Sequence, residues 1–375
     1  MHLALFTKFA SNIEAMKSKL TVLYFSIWLG GTFWSVSGQF IDAEIAPKWY
    51  FALFGGTFLC WMYGISPFRS IPTTKKPHFT GIFLSISLCA TALAFHGLLQ
   101  WSGLWTPQSM FPVCGNFDNP AGIASALAFS LPFSLHYTHS PCIPLRYTAL
   151  ASTLLMACAI TASESRAGIL SMGCVFLLYF PMKWPKISKA LTFGLVMLFT
   201  VSSVFLYHYK KDSADGRLLI WQCTWNMIKE RPLYGYSHGG FQANYMDEQA
   251  QFFRTHPNSR YARLADDVKS PFNEYLGVLT DFGFVGGTAV FLCTVMLFLM
   301  WRKHPGGSSR PALLCLAAIA VFSLFSYPFR YPHTWILCMG SALVLILNGY
   351  PASRRITGCL SLVTAFLFTT LSVFA

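Results

Sequence analysis

A chain of 375 residues that is 54% hydrophobic and only 11% charged, with a mean hydropathy of +0.48, carries more apolar surface than a soluble globule can hide from water. The formal charge of +13 would suit a nucleic-acid binder if it lay on one compact domain. It is instead parcelled between apolar blocks, which excludes that class and points to an all-α, polytopic membrane protein.

The blocks predict helical spans near 21–38, 49–65, 79–100, 122–137, 147–162, 167–182, 190–208, 275–300, 311–328, 333–349 and 356–375, about eleven in all, each helical so that its backbone is satisfied internally. Residues 1–20 look amphipathic and precede no small-residue cleavage site, so the first span is expected to act as an uncleaved signal anchor. Three spans, 122–137, 147–162 and 167–182, are short for a bilayer and are expected to tilt little or to pack inside the bundle. Running 147–182 as one helix would leave Glu164 and Arg166 at mid-membrane, at a cost of at least ~2.5 kcal/mol each. Two helices joined by a tight outer turn fit better.

Orientation follows from the short loops. One alternate set holds Lys8, Lys17, Lys19, Arg69, Lys75, Lys76, Arg146, Lys183, Lys186, Lys189, Arg302, Lys303, Arg310, Arg354 and Arg355, which is 15 of the 27 cations, with one acid, Glu14. The opposite short loops hold only Lys48, Arg166 and Arg330. The positive-inside rule therefore expects a cytoplasmic N-terminus, with the long hydrophilic segment 209–272 as an extracytoplasmic subdomain of an otherwise single integral membrane domain, 1–375. The basic excess then faces anionic membrane lipid, with no nucleic acid among the expected partners. Of the 11 cysteines only Cys114 and Cys223 fall on the outer face, without pairing or metal-ligand spacing, so buried apolar thiols are expected.

Within 209–272, Asp215 is expected to cap a helix from about Arg217 to Glu230, with Leu218, Trp221, Trp225 and Ile228 on its apolar stripe and Arg231-Pro232 as its stop. Gly235, Gly239 and Gly240 make a turn into a second helix bearing Phe241, Tyr245, Phe252 and Phe253. The pair is expected to lie on the membrane with aromatic faces down, as a lid; the alternative is a small soluble cap without chemistry of its own.

Few polar residues remain to carry chemistry. Arg166 occupies the outer turn and is either functional or a snorkelling surface residue. Arg217 opens its expected helix, where a cation opposes the dipole. Glu274 starts the span near 275, where an acid is favourable as a cap, and Asp281 lies two turns deeper on the same face as an intramembrane acid. His96 and His136 are expected to be structural.

At these residues the chain resembles a known family. Ser165-Arg166-Ala167-Gly168, Asp215-Gly216-Arg217 with Trp221, the step Arg231-Pro232-Leu233-Tyr234-Gly235-Tyr236, and Asn273-Glu274-Tyr275-Leu276 followed by Gly283 are similar to the O-antigen ligase and polymerase superfamily of bacterial inner membranes. Gly115-Asn116-Phe117-Asp118-Asn119-Pro120 is similar to that family's pre-helix turn. The resemblance covers roughly residues 100–300. It implies a glycosyltransferase that moves a glycan from an undecaprenyl diphosphate carrier to a glycan, lipid or protein acceptor outside the cytoplasm, without metal, nucleotide sugar or other cofactor.

The family's outer-loop signature, His-Asn-x-x-Leu-x6-Gly, uses its histidine as base. Aligning Asn273, Leu276 and Gly283 places Phe272 there, and a phenylalanine cannot move a proton. The base is then expected to be Glu274, or a loop residue among Asp266, Asp267, His238 and His256, unless the chain is an inactive structural partner. Arginine forks match a departing diphosphate, which assigns Arg166 and Arg217 to the reaction, with Arg330, Asn273 and Asp281 as further diphosphate or glycan contacts. The rival from another class, a flippase of lipid-linked glycan, would need a polar path through the bundle, whereas the polar motifs collect at one face.

Overall fold

The computed structural model describes residues 19–65, 79–107, 109–183, 197 and 211–349. The expected spans 356–375 and, but for one residue, 190–208 lie outside these, as does most of the N-terminal amphipathic segment. Among the described residues there is no strand, and the helices are α1 (19–34), α2 (Ala46–Ile65), α3 (Thr80–Trp101), α4 (Pro120–Tyr137), α5 (Ile143–Ala162), α6 (Arg166–Lys183), α7 (Lys211–Glu230), α8 (Gly240–Thr255), α9 (Glu274–Lys303), α10 (Ser309–Ser323) and α11 (Pro332–Gly349). Two 3-10 turns, Arg260–Leu264 and Pro328–Arg330, complete the set. Helices α3, α5, α9 and α11 are long and apolar enough to cross a membrane, while α6 and α10 are shorter apolar helices.

The shortness of α4 has a structural reason. Pro120 sits at its first turn, Asn119 Oδ1 caps it by accepting from Ala121 N at 2.7 Å, and almost every residue from Gly122 to Tyr137 is buried. It is the central post of the bundle, packed by α3, α5, α6 and α10, so it meets helices on all sides. Small residues and hydroxyls serve as glue here. Ser152 Oγ lies 3.0 Å from Ser134 Oγ and 2.5 Å from Thr91 Oγ1, tying α5 to α4 and α3.

The break between α5 and α6 falls where two helices were expected. Glu164 takes a left-handed φ of 53°, and Ser165 Oγ accepts from Gly168 N at 3.3 Å to cap α6. A Cβ on Gly168 would come 2.7 Å from Ala124 Cβ, so glycine there is what lets α6 lie against α4.

Helix α9 is interrupted at Gly283, whose φ of 62° and ψ of −163° are open to glycine and almost nothing else. The step after α7 fills the gap: Tyr236 N and Ser237 N donate to the carbonyls of Thr280 and Asp281 at 2.9 and 2.8 Å, while Phe284 N and Val285 N donate to those of Pro232 and Leu233 at 2.7 and 3.2 Å. Two carbonyls and two N–H groups at the kink are thereby paired with the 232–237 step. After the break, Phe284, Phe291, Leu292 and Leu299 stand on the surface as an apolar face.

The hydrophilic segment, described from residue 211, departs from the expected lid in three ways. Helix α7 already includes Lys211, so Asp215 lies inside it and does not cap it, and Arg217 sits beyond its first turn, where the dipole objection no longer applies. The buried stripe is Leu219, Ile220, Cys223 and Met227 with Ile228, and Trp225 points outward at 46% exposure. The aromatic faces of α7 and α8 also turn towards each other: Phe241, Tyr245 and Tyr261 join the α7 stripe in a separate core that Phe252, Phe253 and Leu264 flank. Burying these rings against one another removes them from a membrane-facing role, and the segment is a cap with its own packing.

Candidate active site

The loops at one end of the bundle converge on residues 324–331, between α10 and α11. Arg217 Nη1 donates to the Phe325 carbonyl at 2.6 Å, and Phe329 N donates to Glu274 Oε1 at 3.0 Å. Asn119 Nδ2 donates to the Tyr327 hydroxyl at 2.5 Å, and the Tyr331 hydroxyl donates to Asp118 Oδ1 at 2.8 Å. Three sequence-distant motifs, the Asp118-Asn119 turn, Arg217 and Glu274, are thus fastened to one eight-residue loop. Tyr327 and Tyr331 were not singled out from the sequence, where a tyrosine between two spans reads as an interface residue.

Arg166, first in α6, reaches across to α7, its Nη2 donating to Ser213 Oγ at 2.7 Å. Burial, and after it the nearby charge of Arg166, pull the Arg217 guanidinium down to about 10. Arg217 therefore remains cationic at neutral pH; among the described residues no carboxylate is ion-paired with it, and an anionic ligand would stabilise its charge beside that of Arg166. The Arg217 guanidinium lies 5.1 Å from the centre of the Phe272 ring, which in turn lies 5.2 Å from that of Tyr327. Burial and the Asp118 carboxylate raise the Tyr327 hydroxyl above its ordinary value, so it stays a neutral donor.

Phe272 takes a φ of 52°, a left-handed conformation costly for a bulky side chain, which puts its ring beside Arg217. The position that the family gives to histidine is therefore inside the cluster, with phenylalanine occupying it. Asn273 is the cap of α9, its Oδ1 accepting from Tyr275 N and Leu276 N at 3.0 and 3.1 Å. Its carbonyl is spent on the helix, and Glu274 is not needed as a cap. The Glu274 side chain instead turns to the 324–331 loop, with Oε1 on Phe329 N and no hydrogen bond to Oε2 among the described residues.

Arg330 is placed at the cluster's far side, 5.8 Å from the Tyr327 ring centre, and is ion-paired with Asp42 at 3.3 Å and Asp118 at 3.5 Å. Its charge is largely answered, so it braces the loops more than it offers a free cation. Lys48 is fully buried, its Nζ donating to the carbonyls of Ser35, Glu44 and Asn116 at 2.8, 2.6 and 2.6 Å. One ammonium thus ties the α1–α2 loop to the turn before α4.

Asp281 is drawn into another task. Its Oδ2 and Oδ1 accept from Gly239 N and Phe241 N, both at 3.0 Å, so it caps α8 and pins the glycine turn to α9. Both of its carboxylate oxygens are thereby engaged by backbone donors. Of the other candidate bases, Asp266 and Asp267 are exposed on the cap with Asp267 N donating to Asp266 Oδ1 at 2.8 Å, His256 stacks on Phe252 at 4.7 Å, and His238 stacks on Phe282 beside Asp281.

Residues 151–292, from within α5 through the cap and into α9, match the family model described as O-antigen ligase. Over that stretch the chain is similar to the O-antigen ligase family. The match spans Arg166, Arg217 and Glu274, and with the apolar helices it marks a bacterial membrane protein of ligase- or polymerase-type glycan chemistry. A search of curated proteins finds no match.

Proposed function

We propose that this O-antigen ligase-like protein transfers a glycan from undecaprenyl diphosphate to an acceptor hydroxyl at the extracytoplasmic face of the bacterial inner membrane. The observation that carries it is the fastening of Arg217 and Glu274 to one loop, at Phe325 and Phe329, with the charge of Arg166 beside Arg217. In the transfer, the acceptor oxygen attacks the anomeric carbon, a new C–O bond forms, and the bond to the diphosphate oxygen breaks with its electron pair leaving on the diphosphate. Arg166 and Arg217 hold that developing charge with fixed donors. Glu274 Oε2 takes the acceptor proton from the face opposite the leaving group, and the anomeric centre inverts.

An apolar groove of about 330 Å³ starts next to Glu274, lined by Tyr275, Val278, Leu279, Phe284 and Phe291, and suits the polyprenyl chain. The positive-inside pattern supports a cytoplasmic N-terminus and an outer position for the cluster. Arg166→Lys and Arg217→Lys keep the charge and lose the fork. With purified lipid-linked donor each variant is expected to lose most transfer while accumulating normally in the membrane. Wild-type rates in both would remove the clamp.

A further inference from the structure

A cleft of about 690 Å³ opens on the cap, away from the 324–331 loop, and the transfer reaction does not account for it. Gln222, Trp225, Asn226 and Lys229 line it from α7, and Phe252 and Asn258 close it from the end of α8 and the turn beyond. The four α7 residues recur at helical spacing on one face, while the neighbouring face, Leu219, Cys223 and Met227, is spent on the cap core. Trp225 is therefore not a leftover of packing. Its indole stands 46% exposed in a concave site that also presents the rings of Phe252 and Tyr261 and the side-chain amides of Gln222, Asn226 and Asn258.

That pairing has a chemical match. A pyranose presents a face of C–H groups, which packs on an electron-rich indole, and a rim of hydroxyls that donate and accept. Gln222, Asn226 and Asn258 side chains also donate and accept, as such a rim requires. Lys229, with Nζ 3.5 Å from Asn226 Oδ1, is the one lysine of the lining and no arginine joins it, so a neutral or acidic sugar fits better than a polyphosphate. At 1.5 Å per residue, Gln222 and Lys229 lie about 7 and 18 Å along the α7 axis from Arg217. That offset leaves room for intervening sugars.

We propose that this cleft is a distal oligosaccharide subsite, which grips the glycan several sugars away from the bond being made. It rests on the reaction proposed above for the position of the reacting end. The probe is the glycan freed from its polyprenyl diphosphate by mild acid, observed by saturation-transfer NMR against the detergent-solubilised full chain. Saturable transfer to sugar protons is expected in the wild type, with a loss of at least fivefold in Trp225→Ala and Asn226→Ala, and partial recovery in Trp225→Phe. In transfer assays Trp225→Ala is expected to raise KM severalfold for long glycans with kcat little changed. A shift confined to the donor KM assigns the cleft to the donor chain, and one confined to the acceptor KM assigns it to the acceptor. Undiminished binding in Trp225→Ala and Asn226→Ala, or binding lost in Arg217→Lys alone, overturns the subsite. Binding lost in Trp225→Ala while Arg217→Lys transfers normally leaves the subsite standing and removes the diphosphate clamp instead.

Discussion

Gly283→Ala tests how the cap is held on the bundle. An added Cβ would sit 2.3 Å from the carbonyl carbon and oxygen of Leu233 and 2.6 Å from Tyr234 N, all backbone atoms that cannot swing away as a side chain would. The φ of 62° with ψ of −163° adds about 1–3 kcal/mol of strain for any residue with a Cβ. The variant relieves both by straightening α9 and releasing residues 232–237. Release forfeits the four backbone hydrogen bonds across the break, at about 1 kcal/mol each, for a total near 4 kcal/mol of docking energy. Limited proteolysis in detergent is expected to cut the 232–240 segment many times faster than in the wild type, with a thermal midpoint several degrees lower. Gly340→Ala in α11 is the control, since nothing lies within 4 Å of its added Cβ, and it is expected to be neutral or slightly stabilising. Equal proteolysis rates and midpoints for Gly283→Ala and wild type would refute the docking.

Three further outcomes are expected. Lys48→Met keeps the apolar stem but leaves three carbonyls without their donor, so a loss of about 3 kcal/mol or more is expected in thermal unfolding, whereas a merely snorkelling lysine would leave the midpoint unmoved. Asp281→Ala removes the cap of α8 and is expected to destabilise the cap by about 1 kcal/mol while transfer falls only modestly; abolished transfer with intact stability would return Asp281 to the substrate contacts. Phe272→His puts an imidazole between Arg217 and Tyr327 and is expected to restore part of the transfer lost in Glu274→Gln, measured as turnover of the double variant against the single.

The sequence was legible where a local rule had no competitor. Arg166 and Glu164 could not be buried in a continuous helix, so the turn between α5 and α6 followed from desolvation alone, and Ser165 and Gly168 serve the turn and the close packing. The short α4 was legible as a length and became intelligible only as the post around which other helices pack. The α7 stripe was misphased because Trp225 reads as core to any apolar pattern, yet tertiary packing of the cap used the neighbouring face. Asp281 drew attention as an intramembrane acid, but the kink at Gly283 and the docking of a loop from 50 residues upstream are non-local, and no spacing along α9 reveals them. Tyr327 and Tyr331 were overlooked for the same reason: their importance lies in what they touch.

The claim that Glu274 and the two arginines form one reacting centre is tested most directly by single-turnover transfer with purified lipid-linked donor. Glu274→Gln preserves size and leaves the Phe329 N–H a partner, but it cannot take a proton. The account predicts a fall of roughly 10² or more in the transfer rate with donor binding unchanged, and a further binding loss when Arg217→Lys is added. An unaltered rate in Glu274→Gln, together with its abolition in Asp266→Asn or Asp267→Asn, would contradict it and move the base onto the cap.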